Sequence, residues 1–339
     1  MNELAPTIPT PVASPEEVLH GVLRAQDRHL WIVTADQVPA WLDDSDPRIT
    51  VVSHRDIFTD PGVLPTFNSH AIESQLHHID GLAEHYLYAN DDVFFGRPMR
   101  RDQFFSSNGL ARIFRTGNKI DLGPWQPGDS PNLAAHKKVR GLLERDYGVS
   151  IANRFKHAVL PQRRTALNEL ETRYPDEFAR TAASRFRHPS DLSVASSLVP
   201  NYLYLTGRAY AAPLRYSYVD AGDAGLAAKL QSWLESRALD SFCINDAGLV
   251  EELLDEKEQH TLITDFLAEY FPWPSRFEHP DSSDRPGPEA SGTVAGALEA
   301  LPRQTAARLV RNPVIALPQA VSTSSAGSGG DRDGRPEHG

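Results

Sequence analysis

The sequence predicts an α/β fold: a mostly parallel sheet with helices on both faces, plus helical insertions. Short apolar runs alternate along the chain with segments of helical period, the pattern of strands joined by crossover helices. The runs are nearly continuous in apolar residues, as in strands buried on both faces. Two of them stop abruptly at Asn and Asp, and ligands bind in open α/β sheets outside the carboxyl ends of strands.

Residues 1–15 hold Pro6, Pro9, Pro11 and Pro15 with few groups to bury, and read as a flexible leader. Leu30-Trp31-Ile32-Val33-Thr34 and Ile49-Thr50-Val51-Val52-Ser53 read as buried strands. Asn68 or Ser69 caps a helix whose Ile72, Leu76 and Ile79 share one face. His85-Tyr86-Leu87-Tyr88-Ala89 is a third strand, rich in aromatics, ending at Asn90-Asp91-Asp92. Residues 131–147 and 161–174 read as helices, with Pro131 and Pro161 in their first turns. Ser241-Phe242-Cys243-Ile244 is a fourth strand, ending at Asn245-Asp246. Residues 280–339 hold no Phe, Trp or Tyr, are rich in Gly, Pro and Ser, and read as a disordered tail. The folded domain is therefore assigned to residues 16–279.

Composition excludes several functions. The 339 residues carry a net charge of −11, from 34 basic and 45 acidic side chains, which argues against wrapping nucleic acid or holding anionic lipid through bulk charge. Cys243 is the single cysteine, so no intrachain disulfide or cysteine-rich zinc cluster forms, and a reducing compartment is the natural reading. No signal peptide or membrane-spanning run is recognisable. The phosphate loop, the dinucleotide glycine turn, His-Glu-x-x-His and Gly-x-Ser-x-Gly are all absent.

The acidic pairs at strand ends are the first candidates for chemistry. Asp91 and Asp92 suit a hard cation such as magnesium bridging to phosphate, although a plain polar turn has the same composition. Asn245-Asp246 supports the same reading and is equally an ordinary helix cap. Among 13 histidines, His70, His77, His78 and His85 have spacing that tells against a metal frame and favours solvated or capping roles. His157 precedes a helix-like segment, where an imidazole can serve as a base; Arg187 precedes His188-Pro189 at a helix entrance suited to phosphate oxygens.

Leu64 through Ser74, continued by Tyr88-Ala89-Asn90-Asp91-Asp92-Val93-Phe94-Phe95-Gly96-Arg97-Pro98, strongly resembles the Stealth family of sugar-phosphate transferases. Trp31 to Thr34 with Gln37 to Leu42 is similar to the start of the same block. His157 to Pro161, Tyr174 to Phe178 and Phe186-Arg187-His188 are similar to the third block, and Phe242 to Asp246 to the fourth. The resemblance implies a Rossmann-like, glycosyltransferase-A-like sheet. It also implies transfer of a hexose-1-phosphate from a nucleotide-diphosphate sugar, a UDP-sugar by expectation, to a hydroxyl of a polysaccharide or other glycan in capsule or exopolysaccharide synthesis. His157, Arg187 and Asp246 are the catalytic residues so implied. Asp91, Asp92 and Asp246 would hold Mg²⁺, with Mn²⁺ as the substitute; Asn68, His70, Asn90, Arg97 and Asn245 would bind substrate. No nucleic acid and no transmembrane segment are expected, and a cytoplasmic place beside the inner membrane follows from the donor.

Two departures stand out. The family's first block, a strand of the form Asp-x-Val-Tyr-Thr-Trp-Val-Asp, has no counterpart before Leu30, and Thr34-Ala35-Asp36-Gln37 replaces the usual Thr-Asp-Gly-Gln. The sheet is therefore expected to lack an edge or central strand. A fragment of a longer enzyme is the leading expectation, with a non-catalytic glycan- or nucleotide-sugar-binding protein and a metal-dependent glycosyltransferase as alternatives.

Overall fold

The computed structural model describes residues 29–39, 41–245, 256–273, 275, 277–279 and 312–317. Strands β1 (His29–Thr34) and β2 (Ile49–Ser53) form where the apolar runs place them, and pair in parallel from Leu30↔Ile49 to Thr34↔Ser53. Ser53 ends β2 and caps α1 (His54–Ile57), with Asp56 closing a capping box. Asn68 caps α2 (Ser69–Glu73), which gives way to a 3-10 turn at Leu76–His78. The helix is thus shorter than the spacing predicts, yet Ile72, Leu76 and Ile79 are all buried.

In β3 (His85–Tyr88) the pleat sends neighbouring side chains to opposite faces. Tyr86 and Tyr88 join a core with Val33, Ile72 and Leu76; Leu87 joins a larger one with Phe105, Leu143 and Leu167. Helices α3 (Pro131–Tyr147), α4 (Arg164–Arg173), α5 (Pro175–Ala183) and α6 (Val199–Leu205) supply this larger core, so both faces of the sheet are covered. Helix α3 has the predicted bounds: Ser130 accepts from the Leu133 N–H, Pro131 occupies the first turn, and Gly148 ends it at φ 66.

The main sheet is mixed, which corrects the mostly parallel expectation. Its order is β2-β1-β12-β3-β8, with β12 at Asn312–Leu317 and β8 at Leu160–Arg163; β1–β2 is parallel, and the other three pairings are antiparallel. Apolar runs reveal strands but not their direction. Pro161, expected at a helix start, lies in β8, and the helix begins at Arg164. As β8 is the edge strand, a missing N–H can be tolerated there. Strand β12 lies within the segment read as a tail and fills the place between β1 and β3. A tail's average composition does not exclude a local run such as Val314-Ile315 with β propensity. The rest of that segment, like residues 1–28, lies outside the described residues.

A second sheet, β10-β11-β4, is built from β4 (Val93–Phe95), β10 (Tyr216–Asp220) and β11 (Ser241–Asn245). Phe242 packs with Trp233 of α7 (Leu226–Ser236) and with Phe266 and Tyr270 of α8 (Glu256–Tyr270), whereas Cys243 joins the main core. Two further pairs complete the described strands: β5 (Ala111–Ile113) with β9 (Ala209–Ala211), and β6 (Arg115–Lys119) with β7 (Asn153–Phe155). The turn after β3 runs directly into β4, so it bridges the two sheets. Among the described residues no helix is long and apolar enough to cross a membrane.

Candidate active site

The Asn90-Asp91-Asp92 turn is closed by the Val93 N–H donating to the Asn90 carbonyl at 3.2 Å, and the Ile244 N–H of β11 holds the Asp92 carbonyl at 3.0 Å. Both sheets thereby fix Asp92. His157 arrives between β7 and β8, 65 residues away in sequence, and its Nε2 lies 3.0 and 3.1 Å from the two Asp92 carboxylate oxygens. From below, the Cys243 thiol reaches Asp92 Oδ2 at 3.3 Å.

A carboxylate only accepts, so Nε2 of His157 carries hydrogen and Nδ1 carries the lone pair of the neutral ring. Burial opposes a charge on His157, but the Asp92 hydrogen bond and charge, helped by Glu73, outweigh it; the imidazole rises above 6.5 although Arg187 acts against it. Burial likewise opposes ionised Asp92, yet the His157 bond and charge prevail and hold the carboxyl below its ordinary value. Cys243 is pushed far up by burial, then by Asp92, Asp220 and Asp91, and stays a thiol.

Around this pair the structure gathers groups that sequence reasoning missed. Glu73 is buried, accepts from Tyr88 Oη at 3.0 Å and from the Ala195 N–H at 3.2 Å, and its charge reaches His157. Asp220 ends β10 opposite Asn245 and accepts from Asn245 Nδ2 at 3.0 Å. Tyr216 lies near Asp92 and Cys243, and burial followed by their charges raises its phenol. A signal for Asp220 was present, since Tyr216-Ser217-Tyr218-Val219-Asp220 repeats the aromatic strand ending in Asp. Glu73 and Cys243 carry no such mark.

The sequence candidates divide. Asp92, His157 and Arg187 come together; Arg187 donates to Ser69 Oγ at 2.9 Å from a loop after α5 rather than from a helix entrance. Asp91 is exposed on the same turn, and its charge acts on Tyr88 and Cys243. Asn68 is fully buried, caps α2 and donates to Asp191 Oδ2 at 2.8 Å, while buried His70 has its Nδ1 3.9 Å from the same oxygen. Arg97 is not brought to the group: it pairs with Asp240 at 2.5 Å, at the end of β11 opposite to Asn245. Asp246 lies outside the described residues. His70 and His77 are buried rather than solvated, and partly buried His85 packs edge-on against Phe105.

Among the described residues the donor atoms gathered here within 4.8 Å of one another are those of Asp92, His157 and Cys243; Asp91, Asp92 and Asp220 offer hard oxygen donors whose charges all act on Cys243. With Cys243 a thiol, that donor set suits Mg²⁺ or Mn²⁺ better than a soft metal.

Three conserved-region descriptions match in chain order: Stealth protein CR2 over residues 24–113, CR3 over 156–204 and CR4 over 231–287. The chain belongs to the Stealth family. Among curated Stealth relatives, exopolysaccharide phosphotransferase SCO6023 of Streptomyces coelicolor is 45% identical over 258 residues, which are 76% of this chain and 44% of the relative. Exopolysaccharide phosphotransferase SCO6021 of the same organism is 47% identical over 74% of this chain and 46% of its own length. Exopolysaccharide phosphotransferase CpsY of Mycobacterium tuberculosis is 40% identical over 74% and 47%. The matched region spans just under half the length of these relatives. It contains Asp92, His157 and Arg187 together.

Proposed function

We propose that the Asp92–His157 pair is the centre of a phosphotransferase site that moves a hexose-1-phosphate from a nucleotide-diphosphate sugar, a UDP-sugar by preference, to a glycan hydroxyl in exopolysaccharide synthesis. The observation that carries this reading is the 3.0 Å contact from His157 Nε2 to Asp92, which leaves Nδ1 as the ring's proton acceptor. An acceptor hydroxyl placed at Nδ1 gives up its proton as its oxygen bonds to the sugar-bearing phosphorus. The bridging oxygen then departs with the nucleoside monophosphate. General-base help of this kind is worth on the order of 10²–10⁴ in rate. Arg187 would neutralise the phosphoryl oxygens, and Ser69 would hold its guanidinium in place. Asp91, Asp92 and Asp220, joined by Asp246, would hold Mg²⁺, which when bound offsets the charge of the diphosphate. The names of the relatives support the reaction class, and a nucleotide-sugar donor fits a cytoplasmic reaction beside the inner membrane.

Incubation with UDP-sugars, Mg²⁺ and oligosaccharide acceptors, followed by ³¹P NMR and mass spectrometry, tests the proposal. Release of UMP with a new phosphodiester is the expected result. Release of UDP with a phosphorus-free glycosidic bond would instead establish a glycosyltransferase. Donor binding by calorimetry with no release of nucleotide would establish a binding protein.

A further inference from the structure

His77 and His78 form, with a residue far away in sequence, a group that the phosphotransferase reading does not use. The 3-10 turn at Leu76–His78 brings the two rings to 4.0 Å between centroids. Both Nε2 atoms converge on one oxygen of Glu171 in α4, His77 at 2.7 Å and His78 at 3.1 Å. The three donor atoms lie within 4.8 Å of one another. Spacing along the chain concealed this, because the carboxylate enters 94 residues after His77.

Hydrogen-bond accounting sharpens the observation. His78 Nδ1 sits 2.9 Å from the Ile57 carbonyl, which only accepts, so Nδ1 carries hydrogen and the neutral ring presents its Nε2 lone pair to Glu171. At 3.1 Å that contact needs a positive partner, either a second proton that makes His78 an imidazolium, which the Glu171 hydrogen bond favours, or a metal ion in the proton's place. A backbone carbonyl on the far nitrogen is also the arrangement that orients a metal-ligating imidazole. The His77 side chain is fully buried, with Phe178 edge-on at 6.4 Å; His78 and Glu171 are 26% and 29% exposed, which leaves an entry and a place for water. Metal–ligand bonds of about 2.1 Å in tetrahedral geometry put ligand atoms roughly 3.4 Å apart, so the His78–Glu171 separation of 3.1 Å needs to open by about 0.3 Å and the His77–Glu171 separation of 2.7 Å by about 0.7 Å. Arg164 adds positive charge near His77, which the Glu171 carboxylate offsets.

We propose that His77, His78 and Glu171 form a binding site for a divalent transition metal, best matched to Zn²⁺, that pins the 76–78 turn to α4. The turn continues the segment that carries Ser69 and Glu73, so the ion would brace one wall of the candidate active site without taking part in its chemistry. Two imidazoles and a carboxylate with an exposed fourth position are a borderline-soft set that zinc accepts readily.

The test uses untagged, metal-stripped protein titrated with ZnCl₂ by calorimetry, with bound zinc counted by elemental analysis and the cobalt-substituted protein examined by absorption. One zinc per chain is expected, with a higher melting temperature. Cobalt should give tetrahedral visible bands and no thiolate charge-transfer band, which separates this group from Asp92, His157 and Cys243. The substitutions His78→Asn and Glu171→Gln should each weaken zinc binding by about tenfold or more. Absence of stoichiometric zinc, a thiolate band, or unchanged affinity in both folded variants overturns the proposal. Should either variant fail to fold, the cobalt spectrum of the native protein decides.

Discussion

Replacing His54 by Phe isolates the cost of burying an imidazole. His54 lies in α1, is 4% exposed and tilts against Phe58 at 6.1 Å; neither ring nitrogen has a hydrogen-bond partner in the protein. Burial pushes its pKa from 6.5 down to about 4, against the pull of Asp36. The unfolded chain therefore takes up the proton first. Stability is retained above about 6.5, is lost as the pH falls toward 4, and bears a constant penalty below that. At 1.36 kcal/mol per unit, the loss amounts to about 2 kcal/mol at pH 5 and about 3 kcal/mol once both states are protonated. The Phe variant has no such site. Urea unfolding followed by tryptophan fluorescence at pH 7 and pH 5 should show the variant's relative stability improving by about 2 kcal/mol at the lower pH. At pH 7 it should already match or exceed the parent, because two unpaired buried nitrogens have been removed. A difference between the proteins that does not change with pH refutes the reasoning.

Three other outcomes are expected. Asp92→Asn should lower transfer, read by nucleotide release, by on the order of 10²-fold or more; by NMR it should bring the His157 imidazole down from its raised position, and an unmoved titration would show that Asp92 does not control the ring. Arg187→Gln should reduce the rate by on the order of 10² if its guanidinium meets developing phosphoryl charge, whereas a rate within a few-fold of the parent would remove it from the site. Gly96→Ala should destabilise the fold by about 1–3 kcal/mol, because an added Cβ would stand 2.5 Å from the Leu239 carbonyl oxygen; an unchanged urea midpoint would contradict that close approach.

The legible parts of the fold share a cause. β1, β2, β3 and β11 are apolar runs that composition makes legible, although β1 and β2 are only partly buried, and α3 carries its own signals in Ser130, Pro131 and Gly148. By contrast, β4, β5, β7 and β9 have three residues each, too few for a period to declare itself; they exist because distant partners supply their hydrogen bonds. Strand direction, the edge position that admits Pro161, and the insertion of β12 between β1 and β3 belong to the same class.

The site divides along the same line. Local sequence determined that an aromatic strand would end in a carboxylate turn and that an imidazole and a guanidinium stood available at 157 and 187, since such features depend only on neighbouring residues. Tertiary structure alone decided that Asp92 meets His157, that Arg97 turns instead to Asp240, and that Glu171 joins His77 and His78. These pairings span from 65 to 143 residues of chain. Charge and hydrogen-bond partners are set by distance in space, which the order of residues along a chain does not encode locally.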